Sequence, residues 1–160
     1  MTKLVKVSEL FDVIYGTNLE LNSLEIDPEG VNFVSRTARN NGVSAKVKLV
    51  DGIEPIEAGV LTVAGGGSVA EAFLQPDPFY SGRDLFFLRP KFAMTVEQKL
   101  FFCMCIRANK FRFNYGRQAN KTLPGLLIPG MDDVPPWVDD AFQGILQKWS
   151  LRLNSLTAAA

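Results

Sequence analysis

Apolar residues are spaced in two ways along this chain, and the spacing changes near its middle. Up to Leu88 they fall in short runs with polar alternation, the two-residue period of half-buried strands. Leu4-Val5-Lys6-Val7 predicts a strand entering a short helical turn capped by Ser8, and Asp12 to Tyr15 a second extended piece stopped by Gly16. Asn18 to Leu24 reads as a brief helix. Val31-Asn32-Phe33-Val34 alternates, and Asn40-Asn41-Gly42 turns the chain into Val43 to Leu49, which alternates more clearly; together they form a hairpin-like unit with a basic loop. A second turn at Asp51-Gly52 and Pro55 precedes a strand over Gly59 to Val63, which runs into Gly65-Gly66-Gly67-Ser68. Ala72-Phe73-Leu74 and Leu85-Phe86-Phe87-Leu88 are further strands, separated by a turn at Gln75-Pro76-Asp77-Pro78.

The three-to-four-residue period then takes over. Thr95 and Gln98 have the spacing of a capping box, and helix formers follow through Ala108. The middle of this helix, Leu100 to Ile106, is apolar on every side, which predicts burial between layers. Leu126-Leu127-Ile128-Pro129 reads as a short strand. From Pro135 a last helix carries Val138, Phe142, Ile145, Trp149 and Leu153 in a stripe. Packing against the same domain is its ordinary reading, and a partner-facing stripe the alternative. The fold class expected is α+β: a mixed, mostly β domain of about eight short strands, with one buried helix and a C-terminal helix. Residues 1–134 form the domain, 135–156 the terminal helix and 157–160 a tail.

Composition adds limits. A chain of 160 residues, 47% hydrophobic and 21% charged, suits one soluble domain with its own core. No apolar run approaches a membrane span, and Met1 to Lys6 lacks a signal-peptide core, so the expected location is the cytoplasm. The net charge is zero but unevenly spread: Asp12 to Glu29 holds five acids and no base, Phe33 to Lys48 four bases and no acid, and Asp132 to Asp140 is acidic again. A neutral total can therefore hide a basic face.

The missing residues exclude chemistry. With no histidine, Ser-His and Cys-His pairs and histidine metal sites are ruled out. Cys103 and Cys105 lie two apart on a predicted helix, about 200° around its axis, and can form neither a disulfide nor a shared zinc site. They read as buried thiols. Pro76-Asp77 with Glu97-Gln98-Lys99 matches a metal-dependent nuclease pattern on paper, yet Glu97 and Lys99 diverge at a helix start instead of converging on one metal. Asp77-Pro78-Phe79-Tyr80 is a proline turn rather than an amino-methyltransferase signature. No catalysis and no cofactor are expected. The glycine turn can serve as a phosphate cradle, as a close approach to a DNA backbone, or as a plain turn.

The richest stretch runs from Asn109 to Lys121, where basic, amide and aromatic side chains interleave; from Arg107 to Lys121 there are five bases and no acid. Such a segment offers forks and amides to base edges and charge to phosphates; a solvated basic loop is the plainer reading.

Taken together, Phe11 to Gly16, Val34-Ser35-Arg36-Thr37 with Asn40-Asn41-Gly42, Gly59 to Ser68, Ser81-Gly82-Arg83-Asp84, Asn114 to Asn120, Ile128-Pro129 and Pro136-Trp137-Val138 carry a resemblance across nearly the whole chain. In these residues the chain resembles the target-recognition domain of restriction-modification specificity subunits, of type I and related type II systems. The resemblance implies a module that reads a short DNA sequence and positions a separate methyltransferase, with or without a nuclease. It implies contacts from Arg36, Thr37, Asn40 and Asn41, from Gly66, Gly67 and Ser68, and from Ser81 and Arg83. Arg112, Asn114, Tyr115, Arg117, Gln118, Asn120 and Lys121 complete the implied surface. Specificity subunits of this family usually carry two such domains joined by long helices, whereas one is read here. Two copies paired through the last helix, a half-subunit, and a decoy or regulator of a restriction-modification complex are the readings left open. So is a nucleotide binder built on the glycine turn.

Overall fold

The computed structural model describes residues 2–113, 119 and 121–157. Among them are nine strands and three α-helices. In chain order these are β1 (Leu4–Lys6), α1 (Val7–Leu10), β2 (Phe11–Tyr15), β3 (Ile26–Val34), β4 (Val43–Val47), β5 (Leu61–Ala64), β6 (Ala72–Leu74), β7 (Phe79–Ser81), β8 (Leu85–Pro90), α2 (Val96–Ala108), β9 (Leu127–Pro129) and α3 (Ala141–Thr157). The fold is α+β, mostly β, as the pattern predicts. None of the described helices is long and apolar enough to cross a membrane.

A four-stranded antiparallel sheet in the order β2-β8-β5-β6 is the middle layer. The alternation along its strands explains why. Leu61 and Val63 of β5 and Phe86 and Leu88 of β8 join α1, Phe102, Cys103 and Ile106 in one core. Their neighbours Ala64, Leu85 and Phe87 join Val34, Ile56 and Phe79 in a second. Successive side chains of a strand point to opposite faces, so both faces of this sheet are covered. The second core is closed by a sheet in the order β4-β3-β7, in which β3 runs antiparallel to β4 and parallel to β7. Beneath that sheet Tyr80 is fully buried, and its hydroxyl donates to the Ile53 carbonyl at 2.8 Å and accepts from the Val50 N–H at 3.1 Å. A two-stranded antiparallel ladder, β1 with β9, joins the start of the chain to residues 127–129.

Several local expectations need correcting. Ser8 is not a cap: α1 starts at Val7, and Glu9 Oε1 accepts from the Lys6 N–H at 2.8 Å. Only residues 21–23 of the predicted brief helix are helical, as a single 3₁₀ turn. β3 begins at Ile26, not Val31, because a register shift between those residues absorbs Pro28 and Gly30. Phe79 and Tyr80 belong to a strand rather than a proline turn.

Helix α2 has the predicted cap: Thr95 Oγ1 accepts from the Gln98 N–H and Gln98 Oε1 from the Thr95 N–H, both at 3.1 Å. It is not buried all round, however, since Met104 is 58% exposed. Burial pushes the Cys103 thiol up to about 12 and the Cys105 thiol to about 11, and both are free. The terminal segment is split into a 3₁₀ turn at Pro136–Val138 and α3 proper. Val138 is buried, but Phe142, Ile145 and Trp149 stay exposed, so among the described side chains, which do not include that of Leu153, the stripe does not pack against this domain beyond its first residues.

A candidate nucleic-acid interface

Three turns from separate parts of the chain meet at the ends of β3, β5 and β7. The first follows β3. Asn40, Asn41 and Gly42 all have left-handed backbones, with φ of 48°, 53° and 80°. Asparagine tolerates this conformation because its short amide can bond locally, and glycine because it lacks a Cβ. Here both amides are used in that way: Asn40 Nδ2 donates to the Val43 carbonyl at 2.9 Å and Asn41 Nδ2 to the Leu74 carbonyl at 2.8 Å. Buried Gln75 holds the turn from below, its Nε2 donating to the Asn41 carbonyl at 3.0 Å and to Thr62 Oγ1 at 2.9 Å. These bonds fix the loop that carries Arg36 and half-buried Thr37, whose Oγ1 accepts from the Arg39 N–H at 3.2 Å.

The second turn is the glycine run, and Arg36 lies across it. A Cβ on Gly66 would stand 2.9 Å from Arg36 Nη1, and one on Gly67 would stand 3.3 Å from Arg36 Cβ. Gly67 also has a φ of +63°. Gly67 therefore strains any side chain, by its backbone and by the Arg36 Cβ and carbonyl, whereas at Gly66 the near atom is the movable end of Arg36. The Ser68 N–H points to the Arg36 carbonyl at 3.4 Å.

The third turn supplies Arg83 and Asp84. Arg36 Nη1 pairs with Asp84 Oδ2 at 2.8 Å. Asp84, itself left-handed at φ 53°, donates its N–H to the Tyr15 hydroxyl at 2.8 Å and accepts from the Gly65 N–H at 2.8 Å. Arg83 Nη2 pairs with Glu20 Oε1 at 2.6 Å, and that hydrogen bond pushes the guanidinium further above its ordinary value. An open depression of about 400 Å³ lies between the two pairs, lined by Glu20, Phe33, Arg36, Gly82 and Arg83 among others. Ser81 does not belong to this surface. It is fully buried, its Oγ accepting from the Thr17 N–H at 2.8 Å and its own N–H donating to Thr17 Oγ1 at 2.7 Å.

Of the basic segment, Asn114, Tyr115, Arg117, Gln118 and Asn120 lie outside the described residues. Buried Ala119 donates its N–H to the Gly65 carbonyl at 2.9 Å, so at this residue the chain lies beside the glycine turn. Lys121 and Arg112 are exposed, the latter with its guanidinium 5.5 Å from the Phe111 ring centroid. Two of the five bases serve the fold instead: Lys110 and Arg107 both pair with Glu71. Asp84, Glu20 and Gln75 were not among the expected site residues. Asp84 stands in the Ser81-Gly82-Arg83-Asp84 motif without being assigned a role, and nothing local marks Glu20 or Gln75, because each of the three acts on a partner at least 34 residues away in the chain.

Glu97 and Lys99 sit in the first turn of α2, and among the described residues no three Cys, Asp or Glu side chains converge to hold a metal.

No family model matches the chain. It is 27% identical over 139 residues to the type II restriction enzyme BgcI specificity subunit S.BcgI of Heyndrickxia coagulans, covering 82% of this chain and 39% of the relative. Its fold matches the HsdS subunit from Thermoanaerobacter tengcongensis with a TM-score of 0.64 at 15% identity, covering 99% of this chain and 39% of that one. It matches the type I restriction-modification S subunit from M. genitalium with a TM-score of 0.63 at 19% identity, covering 99% and 41%. A chain from a study of complex assembly in the type I restriction-modification system gives a TM-score of 0.67 at 16% identity, covering 98% and 42%. The chain thus spans about two-fifths of the length of the proteins it matches. In sequence and in fold, it resembles the target-recognition domain of restriction-modification specificity subunits.

Proposed function

We propose that this chain binds double-stranded DNA in a sequence-specific way, as a specificity subunit or part of one, and positions a separate methyltransferase, with or without a nuclease. The observation that carries the proposal is the meeting of Arg36, the Gly66-Gly67-Ser68 turn and Arg83 on one rim, with Ala119 tying the basic segment to the same turn. Distant loops gathered on a rigid sheet offer the mixture that groove recognition uses: forks for base edges, backbone N–H groups and cations for phosphates. The likeness to specificity subunits in sequence and fold supports the same reading. It assigns no catalytic step to this chain.

Selection of bound duplexes from a random pool tests it directly. An enriched sequence, bound with an affinity that falls steeply as salt rises, is the expected result. No enrichment, with no salt-dependent binding to any duplex, would sink the proposal.

Helix α3 favours an additional role. Its exposed Phe142, Ile145, Leu146 and Trp149 suit a helical partner: a second copy of this chain or the modification enzyme. A domain that kept this contact and lost base reading would act as a decoy or regulator, and absence of DNA binding with retained assembly would favour that function.

A further inference from the structure

We infer that Arg36 reads a guanine rather than a phosphate, and that Asp84 positions it to do so. This rests on the proposal that the chain binds duplex DNA, and assigns one of its side chains to one kind of contact. Arginine meets DNA either as a charge on a phosphate or as a fork on the O6 and N7 edge of guanine. The surroundings of Arg36 favour the fork. A phosphate approaching this guanidinium would also approach the Asp84 carboxylate, 2.8 Å from Nη1, and repulsion between the two anions would offset the attraction. A base edge carries no net charge, so there the carboxylate does no such harm. It also holds one nitrogen of the fork in place.

The geometry is braced from several sides. Gly66 and Gly67 leave room for the arginine to lie flat across the turn. The backbone of Asp84 is held by the Tyr15 hydroxyl and the Gly65 N–H. The acid sits behind and the arginine in front, with side chains 18% and 38% exposed. Guanidinium has five N–H donors, so one nitrogen can remain on Asp84 while others meet a base. The Arg83 and Glu20 side chains, by contrast, are 64% and 65% exposed, a solvated pair that holds neither partner firmly.

The test uses the 160-residue chain and the site it selects from a random pool, each base pair then being varied in turn. Arg36→Lys keeps the charge and removes the fork. It is expected to lower the preference for one G·C pair on the order of ten- to a hundredfold, leaving other positions and the salt dependence as in the wild type. Asp84→Asn is expected to weaken discrimination at that same pair and to add nothing in the Arg36→Lys background. Thermal unfolding of each variant separates this from a folding defect. A loss spread evenly over all positions, or unchanged discrimination in either variant, would overturn the inference while leaving DNA binding intact. A wild-type chain that enriches no sequence would remove the DNA reading and this inference with it.

Discussion

Helices α2 and α3 are both rich in apolar side chains, yet only one of them has found cover. In α2, Phe102, Cys103 and Ile106 are sealed against the middle sheet, and Phe102 meets the Phe11 ring edge-on at 5.6 Å. In α3, Trp149 is 57% exposed, and contact with the body is confined to its beginning. There Phe142 and Ile145 line a small apolar groove of about 170 Å³ with Phe101, Met104 and Trp137. A stripe in a sequence states that a face needs cover but not what supplies it. For α2 the supplier is the sheet preceding it in the chain; for α3 the described residues contain none beyond that groove.

Perturbing each helix in turn tests this contrast. Phe102→Ala removes a fully buried ring and should destabilise the chain by about 3–5 kcal/mol in chemical denaturation. Less than about 1 kcal/mol would mean that α2 is held no more firmly than α3. The next effect is alkaline. Burial raises the Cys103 thiol from 9.0 to about 12, so the folded state keeps a proton that the unfolded chain gives up. The resulting stabilisation is full below pH 9 and is lost as pH rises towards 12. Thermal unfolding between pH 8 and 11 should therefore fall more steeply in the wild type than in Cys103→Ala. Thr95→Ala removes half of the capping box of α2 and should cost about 1 kcal/mol. Smallest of all, Trp149→Ala should change the stability of the dilute chain by no more than about 0.5 kcal/mol, despite the size of the side chain. A larger loss would show that α3 is covered after all.

What was legible in the sequence divides along the same line. Local signals suffice for some elements: the Thr95/Gln98 capping box, the turn at Asn40-Asn41-Gly42, the alternation of β4 and the apolar run of β8 depend on near neighbours, and all are present. They do not suffice where distant partners are required. β7 was hidden because it is three residues long, follows two prolines and pairs in parallel with a strand some 47 residues earlier, Phe33 opposite Tyr80. Ser81, a contact that the resemblance implies, is buried instead, with its polar atoms bonded to Thr17, 64 residues away. Arg36 is a contact that the resemblance implies, whereas the pairing of Asp84 with it, 48 residues on, is not legible from either segment. The amides of Asn40 and Asn41, expected to face a ligand, turn out to have their N–H donors engaged with the chain's own carbonyls.

The ladder of β1 with β9 has a mechanical consequence. Leu4 stands opposite Pro129 and Lys6 opposite Leu127, so the two segments leading away from the ladder, towards residue 3 and towards residue 130, depart from its same end. Tension applied through those two segments would load the rungs one at a time, as a zipper is loaded, rather than shearing them together. The first rung to part would be the Gly130 N–H to the Lys3 carbonyl, ahead of the three residue pairs and of the four-stranded sheet behind them.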